Sequence, residues 1–225
     1  YSRVVKLMRD NNLPEVFAAI PYQESRYKPE LQSFVCAKGY WQFMPEVAYR
    51  VEQKARIPFR VEGCRFKGQS GYKWTPNTLA PPPKIRQNAP YIDDEGDCKI
   101  TSCTTDDRMD LIKSTQAAIY TLKEAYQDPT LASSGAVVQM SILSHNVGYS
   151  DVRFGRELYK GFNVLPAYNR WVKEKGDTQG PFFYGGQIRC GTHDSKSWCG
   201  SYLPPEGQHY AYTIIAQHFL AACYY

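Results

Sequence analysis

Apolar side chains recur every three or four residues along several stretches of the chain, which is the spacing of one face of an α-helix. The clearest stretch spans 107–126, where Asp110 is predicted to cap the helix. Two more helices are predicted at 134–146 and 206–223. The last has a predicted core face of Tyr212, Ile215, Ala216, Phe219 and Leu220.

Shorter helices are predicted at 13–25, 41–51 and 165–175. Pro21 has no amide hydrogen to give to the first of these, so we expect it to kink that helix or tighten its last turn. Either change alters where Glu24 points. The chain has no alternating strand series and no βαβ rhythm, so the fold class is predicted to be mainly α.

Two stretches lack this periodicity and are rich in glycine, proline and cysteine. We interpret them as loop insertions at about 52–105 and 176–201, the first with room for a short strand near 57–61. At 225 residues the chain is predicted to be a single domain, 1–225, that carries both insertions.

Composition narrows the classes of partner. The net charge is +5, but the basic residues are scattered, so nucleic acid is not an expected partner. This charge would attract an anionic polymer, although ordinary solubility explains it equally well.

The aromatic share of 14% suits stacking on sugar rings or an aromatic core. No run of 18 apolar residues occurs, so no transmembrane segment is predicted.

Seven cysteines indicate an oxidising compartment. The close spacing of Cys98 with Cys103, and of Cys190 with Cys199, permits two small disulfide loops. Because the number of cysteines is odd, at least one thiol is free or pairs elsewhere. A less favoured alternative is a zinc site formed by Cys190, His193 and Cys199 with Cys98 or Cys103, although it lacks a Cys-x-x-Cys pair.

The candidate chemistry centres on Glu24, which ends a short helical run after Ile20, Pro21 and Tyr22. A lone carboxyl group in an apolar setting has a raised pKa and can protonate the leaving oxygen of a glycosidic bond. A surface glutamate at a helix end is the alternative on this evidence alone.

Several segments, in order along the chain, resemble the motifs of lytic transglycosylases, which share a lysozyme-like fold. Proline three residues before the glutamate makes the resemblance closest to the membrane-bound D type. Motifs in a fixed order are more specific than a single motif. The segments are Glu24-Ser25, 33–45 with Ala48, 106–110 with 113–118, 144–148, and 203–206 with Tyr210.

The resemblance implies cleavage of the β-1,4 bond between N-acetylmuramic acid and N-acetylglucosamine in peptidoglycan. Glu24 would act first as acid and then as base, with help from the substrate's N-acetyl group, and the muramyl 6-hydroxyl would attack to give 1,6-anhydro ends. Tyr210 would orient Glu24, and Arg108 would be a structural ion-pair partner. The implied substrate-binding residues are Ser33, Gln42, His145, Asn146 and Tyr210.

No cofactor and no metal is expected for this chemistry. The expected partner is the glycan strand of peptidoglycan, and the protein is expected to be a monomer. The expected location is periplasmic, outer-membrane-associated or secreted.

The chain departs from the family pattern at several positions. Cys36 stands where the family usually has glycine, His145 where it usually has tyrosine, and Val47 and Gly207 where it usually has threonines. An altered wall, such as one with N-deacetylated glucosamine, therefore stays open as substrate. Hydrolysis by water, as in goose-type lysozymes, also stays open. Its base would be an acid of the first insertion: Asp93, Asp94, Glu95 or Asp97.

Two other classes of function compete with this one. Cys36, His145 and Asn146 occur in the order found in papain-like cysteine proteases, although the sequence around Cys36 does not resemble theirs. A non-catalytic glycan-binding domain on the same fold is the other alternative.

Overall fold

The computed structural model of this protein describes residues 1–68, 70, 74–75, 91–133, 136–147, 173 and 205–224, without the side chains of 147, 205–209 and 222–224. These residues form two compact units. One combines Tyr1–Ala19 with the described part of Thr121–Tyr225, and the other is Ile20–Tyr120. The structure is mainly α-helical with short strands, which confirms the predicted lysozyme-like fold class.

The helices that the structure describes are, in chain order, α1 (Ser2–Asp10), α2 (Ile20–Ser25), α3 (Pro45–Ala55), α4 (Leu111–Tyr126), α5 (Pro129–Ala132), α6 (Val137–Val147) and α7 (Pro205–Tyr224). Short 3-10 helices at Glu15–Ala19 and Asp107–Met109 precede α2 and α4.

Proline sets the start of two helices. The predicted helix at 13–25 is a 3-10 helix at Glu15–Ala19 followed directly by α2, and Pro21 lies in the first turn of α2. An amide there has no intrahelical acceptor, so its absence costs little. The tighter, 3-10 part of this segment therefore lies before Pro21, and not at the end of the helix as predicted. Likewise α3 starts at Pro45, four residues later than predicted, and ends at Ala55, where it is followed by the C-cap residue Arg56, whose φ is 54°.

The first insertion contains two pairs of short antiparallel strands, and its predicted first residues, 52–55, belong to helix α3. Strand β1 (Val61–Glu62) pairs with β4 (Thr105–Asp106), and β2 (Arg65–Phe66) pairs with β3 (Ile100–Ser102). The strand predicted near 57–61 is therefore present, but it starts at the end of that range.

Two disulfides cross-link this region, Cys36–Cys98 and Cys64–Cys103. The predicted small loop between Cys98 and Cys103 is wrong. The strand pairs bring the Cα atoms of Cys64 and Cys103 within 3.9 Å, and the backbone amide of Cys98 donates to the Phe34 carbonyl at 2.6 Å, beside Cys36. Because Cys98 and Cys103 are both oxidised, neither is available as a zinc ligand.

Helix α4 confirms the helix predicted at 107–126, but it starts at Leu111, and Asp107–Met109 form a 3-10 helix before it. Asp110 Oδ1 accepts hydrogen bonds from the backbone amides of Ile112 at 2.8 Å and Lys113 at 2.9 Å, as an N-cap does. Of the apolar stripe that the sequence predicts for this helix, Ala117, Ala118, Ile119, Leu122 and Ala125 are buried, whereas Ile112 is half-buried.

The core face predicted for α7 is wrong. Tyr210, Ala211 and Ile214 are buried, whereas Phe219 is 66% exposed and Leu220 is 60% exposed. This helix carries apolar residues on more than one face, so the spacing of apolar residues alone does not identify which face is buried.

Several predictions lie outside the described residues: the helix at 165–175 apart from residue 173, residues 148 and 203–204 of the resembled motifs, the insertion at 176–201, and the Cys190–Cys199 pair. In the part that is described, no helix has the length and apolar character needed to cross a membrane.

Candidate active site

Glu24 lies in the last turn of α2 and is half-buried. Its helix is covered on one side, where Ile20 and Pro21 are buried, and open on the other, where Tyr22 is 45% exposed. The guanidinium carbon of Arg26 lies 4.6 Å from the centroid of the Tyr22 ring. The helix of Glu24 thus has one buried apolar side and one exposed aromatic side.

Ser25, next to Glu24, is 1% exposed and ties this helix to a distant loop. Its Oγ lies 2.9 Å from the Tyr40 carbonyl oxygen and 3.0 Å from the Pro21 carbonyl oxygen. One hydroxyl hydrogen is shared between these two acceptors. The end of α2 is therefore fixed against the loop of residues 33–43, which we call the Gln42 loop.

Backbone hydrogen bonds close the Gln42 loop on itself. The Lys38 amide donates to the Phe43 carbonyl at 3.2 Å, and the Gln42 amide donates to the Gly39 carbonyl at 3.3 Å. Gln42 itself has a φ of 47°, in the left-handed region. Its side-chain Nε2 donates to the carbonyls of Leu31 and Gly39, both at 2.9 Å. Both of these bonds use the amide nitrogen, so Oε1 is the atom suited to accept a hydrogen bond from a substrate.

Ser33 begins the same loop. Its Oγ accepts a hydrogen bond from the Ala37 amide at 3.0 Å, and its carbonyl accepts one from the Cys36 amide at 3.1 Å. The Ser33 hydroxyl hydrogen is not used in the bond from Ala37, because Ser33 is the acceptor there.

Arg108 is fully buried and supports the Gln42 loop through hydrogen bonds to its backbone. Its Nη1 donates to the carbonyls of Cys36 at 2.7 Å and Phe43 at 3.1 Å. The other side of the guanidinium makes two bonds to the Asp106 carboxylate, at 2.7 and 2.8 Å. The structural ion pair predicted for Arg108 is present, and its partner is Asp106. The sequence alone did not reveal Asp106 as this partner or the two carbonyl contacts.

The other three predicted site residues belong to the unit that contains the N-terminus. His145 and Asn146 lie near the end of α6, and both are half-buried. Tyr210 lies in α7, which packs against α6, and is buried. The Oδ1 atom of Asn146 is buried without a hydrogen-bond partner among the described residues. A buried acceptor left unpaired is costly, and such atoms often face a ligand.

The described structure thus groups Glu24, Ser33 and Gln42 in one compact unit, and His145, Asn146 and Tyr210 in the other. The cysteine protease alternative does not hold, because the Cys36 sulfur is bonded to Cys98 and is not available as a nucleophile. The sequence carried one sign of the Cys36 cross-link, a cysteine in a position where the resembled family usually has glycine.

A comparison with known families bears on this site. Residues 5–61, about a quarter of the chain, match the family model described as "Transglycosylase SLT domain". No curated protein matches the chain significantly. The matched region includes Glu24, Ser33 and Gln42. It supports the predicted resemblance to lytic transglycosylases and their lysozyme-like relatives, with peptidoglycan as the substrate class.

Proposed function

We propose that this protein cleaves the β-1,4 bond between N-acetylmuramic acid and N-acetylglucosamine in peptidoglycan, with Glu24 as the general acid and then the base. The observation that carries the proposal is that one matched segment, 5–61, contains both the helix of Glu24 and the Gln42 loop. The Ser25–Tyr40 contact supports it, because that contact fixes the two parts relative to each other.

The proposed reaction needs only one carboxylic acid from the protein. Glu24 gives its proton to the glycosidic oxygen as the bond from that oxygen to muramyl C1 breaks, and the N-acetyl group of the substrate assists. The Glu24 carboxylate then takes the proton of the muramyl 6-hydroxyl as that oxygen bonds to C1. The product has a 1,6-anhydro end, and Glu24 is protonated again.

The half-buried position of Glu24 supports this role. The buried Ile20 and Pro21 supply apolar surroundings on the same helix. Pro21 precedes Glu24 by three residues, the arrangement that motivates our proposal of a membrane-bound D-type relative.

We assign the substrate contacts to Ser33, Gln42, His145, Asn146 and Tyr210. Gln42 Oε1 and Asn146 Oδ1 are suited to accept hydrogen bonds from amide or hydroxyl groups of the sugar substituents. The unpaired state of Asn146 Oδ1 supports its assignment, because a substrate N–H would pair a buried acceptor that has no partner in the described chain.

The described residues contain two disulfides, which supports a location in an oxidising compartment. We therefore propose that the protein acts as a monomer in the periplasm, at the outer membrane, or after secretion. The +5 net charge favours approach to the anionic wall.

The product identifies the reaction. Purified sacculi, native and N-deacetylated in parallel, are digested and the released muropeptides are analysed by mass spectrometry. Anhydro ends make products lighter by one water, about 18 mass units, than hydrolytic ones. We expect anhydro products from native sacculi. Reducing ends would assign a hydrolase, a preference for the N-deacetylated wall would assign a modified substrate, and binding without products would assign a glycan-binding domain.

A further inference from the structure

Cys36 has a backbone conformation that is unusual for a residue with a Cβ atom. Its φ is 69°, in the left-handed region that glycine adopts readily, and its side chain is fully buried. The sequence resemblance places glycine at this position in related chains. Here a covalent bond to Cys98 accompanies the left-handed backbone.

The partner cysteine is itself held firmly. The Cys98 amide donates to the Phe34 carbonyl at 2.6 Å, and Gln32 Nε2 donates to the carbonyl of Ile100 at 3.0 Å. Cys98 itself and the residue two positions after it are therefore bound to residues 32–34, where the Gln42 loop begins. It lies in the first insertion, beyond the matched residues 5–61.

The Cys36 backbone then connects this cross-link to Gln42. Arg108 Nη1 contacts the carbonyls of Cys36 and Phe43, which lie at the two ends of the turn that contains Gln42. A change of φ at Cys36 would move its carbonyl away from Arg108 and release one end of that turn. The left-handed backbone of Gln42 depends on the same closed turn.

We propose that the Cys36–Cys98 disulfide is a positioning element for the cleavage reaction, because it holds Cys36 in the left-handed conformation that keeps the Gln42 loop closed. The proposal rests on the proposed function. Cys36 touches no substrate in this account and acts through Gln42. Misplacing a substrate contact by about 1 Å can lower turnover about a hundredfold.

Two double variants separate the backbone conformation from the cross-link. Cys36→Ala with Cys98→Ser removes the disulfide and leaves a Cβ at the strained position. Cys36→Gly with Cys98→Ser also removes it but allows the left-handed φ. The matched control is Cys64→Ser with Cys103→Ser, which removes the other disulfide.

On native sacculi we expect the alanine variant to lose about tenfold or more in kcat/KM, and the glycine variant to recover most of that loss. The control variant is expected to keep kcat/KM within about twofold, even where its Tm falls. Full activity in the alanine variant would overturn the proposal. So would an equal loss in the alanine and glycine variants, or an equal loss in the control.

Hydrogen exchange of the loop amides provides a readout that does not need activity. We expect the amides of Lys38 and Gln42 to be protected in the wild type and the glycine variant, and to exchange faster in the alanine variant at temperatures where it remains folded. If the wild type cleaves no sacculi, the proposed function fails while this measurement still decides the positioning role. Equal protection in all three proteins would overturn it.

Discussion

Ser25 Oγ lies 2.9 Å from the carbonyl oxygen of Tyr40, which joins the helix of Glu24 to the loop of Gln42. The two residues are fifteen positions apart, and Ser25 is almost completely buried. A proposed acid and a proposed substrate contact thus share one rigid support. Positioning of this kind accounts for a large part of enzymatic rate enhancement.

Ser25→Ala removes that connection. We expect a loss of stability of about 1 kcal/mol, the usual contribution of one hydrogen bond, and a larger proportional fall in kcat because Glu24 is no longer fixed. Urea unfolding and the rate of sacculus digestion measure the two effects. Ser133→Ala is the matched control, since its hydroxyl also bonds a backbone carbonyl but is exposed. Equal kcat values in the two variants would contradict the role of Ser25.

Gly39→Ala tests the packing of the Gln42 loop on Arg108. Gly39 has a φ of 82°, and an added Cβ would lie 1.9 Å from the Arg108 carbonyl oxygen. We expect a loss of more than about 3 kcal/mol, because strain and a backbone clash add together. Gly68→Ala is the control: its φ is 76°, but nothing lies within 4 Å, so only the conformational cost of about 1 kcal/mol applies. Similar unfolding free energies for both variants would be inconsistent with the close approach.

Asn146→Leu tests the unpaired acceptor at the end of α6. The variant removes a buried Oδ1 that has no partner among the described residues, and leucine has a higher helix propensity than asparagine. We therefore expect the free energy of unfolding to rise by up to about 1 kcal/mol. Glycan binding should weaken at the same time, measured in a Glu24→Gln background. Gln139→Leu on the same helix is the control and should leave binding unchanged. Unchanged binding in Asn146→Leu would remove Asn146 from the site.

The ion pair of Arg9 and Glu15 predicts a pH dependence of stability. The hydrogen bond from Arg9 holds the pKa of Glu15 below its usual range. A lowered pKa in the folded state stabilises the protein above the unfolded pKa of about 4.3, and the effect is lost as the pH falls through the folded pKa. Since both side chains are exposed, the effect is small. The Tm of wild type should exceed that of Glu15→Gln at pH 6, and the two should converge at pH 2; a constant difference would contradict this.

The helices of this protein were predictable where one face was apolar and a cap was present. Helix α4 is the best example, since the Asp110 cap indicates where it starts and the apolar stripe from Ala117 to Ala125 indicates which face is buried. Helix α7 is the opposite case. Its apolar residues occur on several faces, and the choice among them depends on the neighbouring chain.

The Cys36–Cys98 cross-link shows why part of the site was not predictable. Spacing favoured the nearby Cys98 and Cys103, yet the true partners are separated by 62 and 39 residues. With seven cysteines many pairings are allowed, and the choice depends on which strands pair. The motif around Glu24 was visible in the sequence because its residues lie close together in the chain.

The central claim is that Glu24 is the acid and base of glycan cleavage. The most direct measurement is the release of muropeptides from sacculi by Glu24→Gln, compared with Glu30→Gln, which changes an exposed glutamate six residues away. We expect Glu24→Gln to bind sacculi but to release no product, and Glu30→Gln to release anhydro products at the wild-type rate. Product release by Glu24→Gln at the wild-type rate would contradict it.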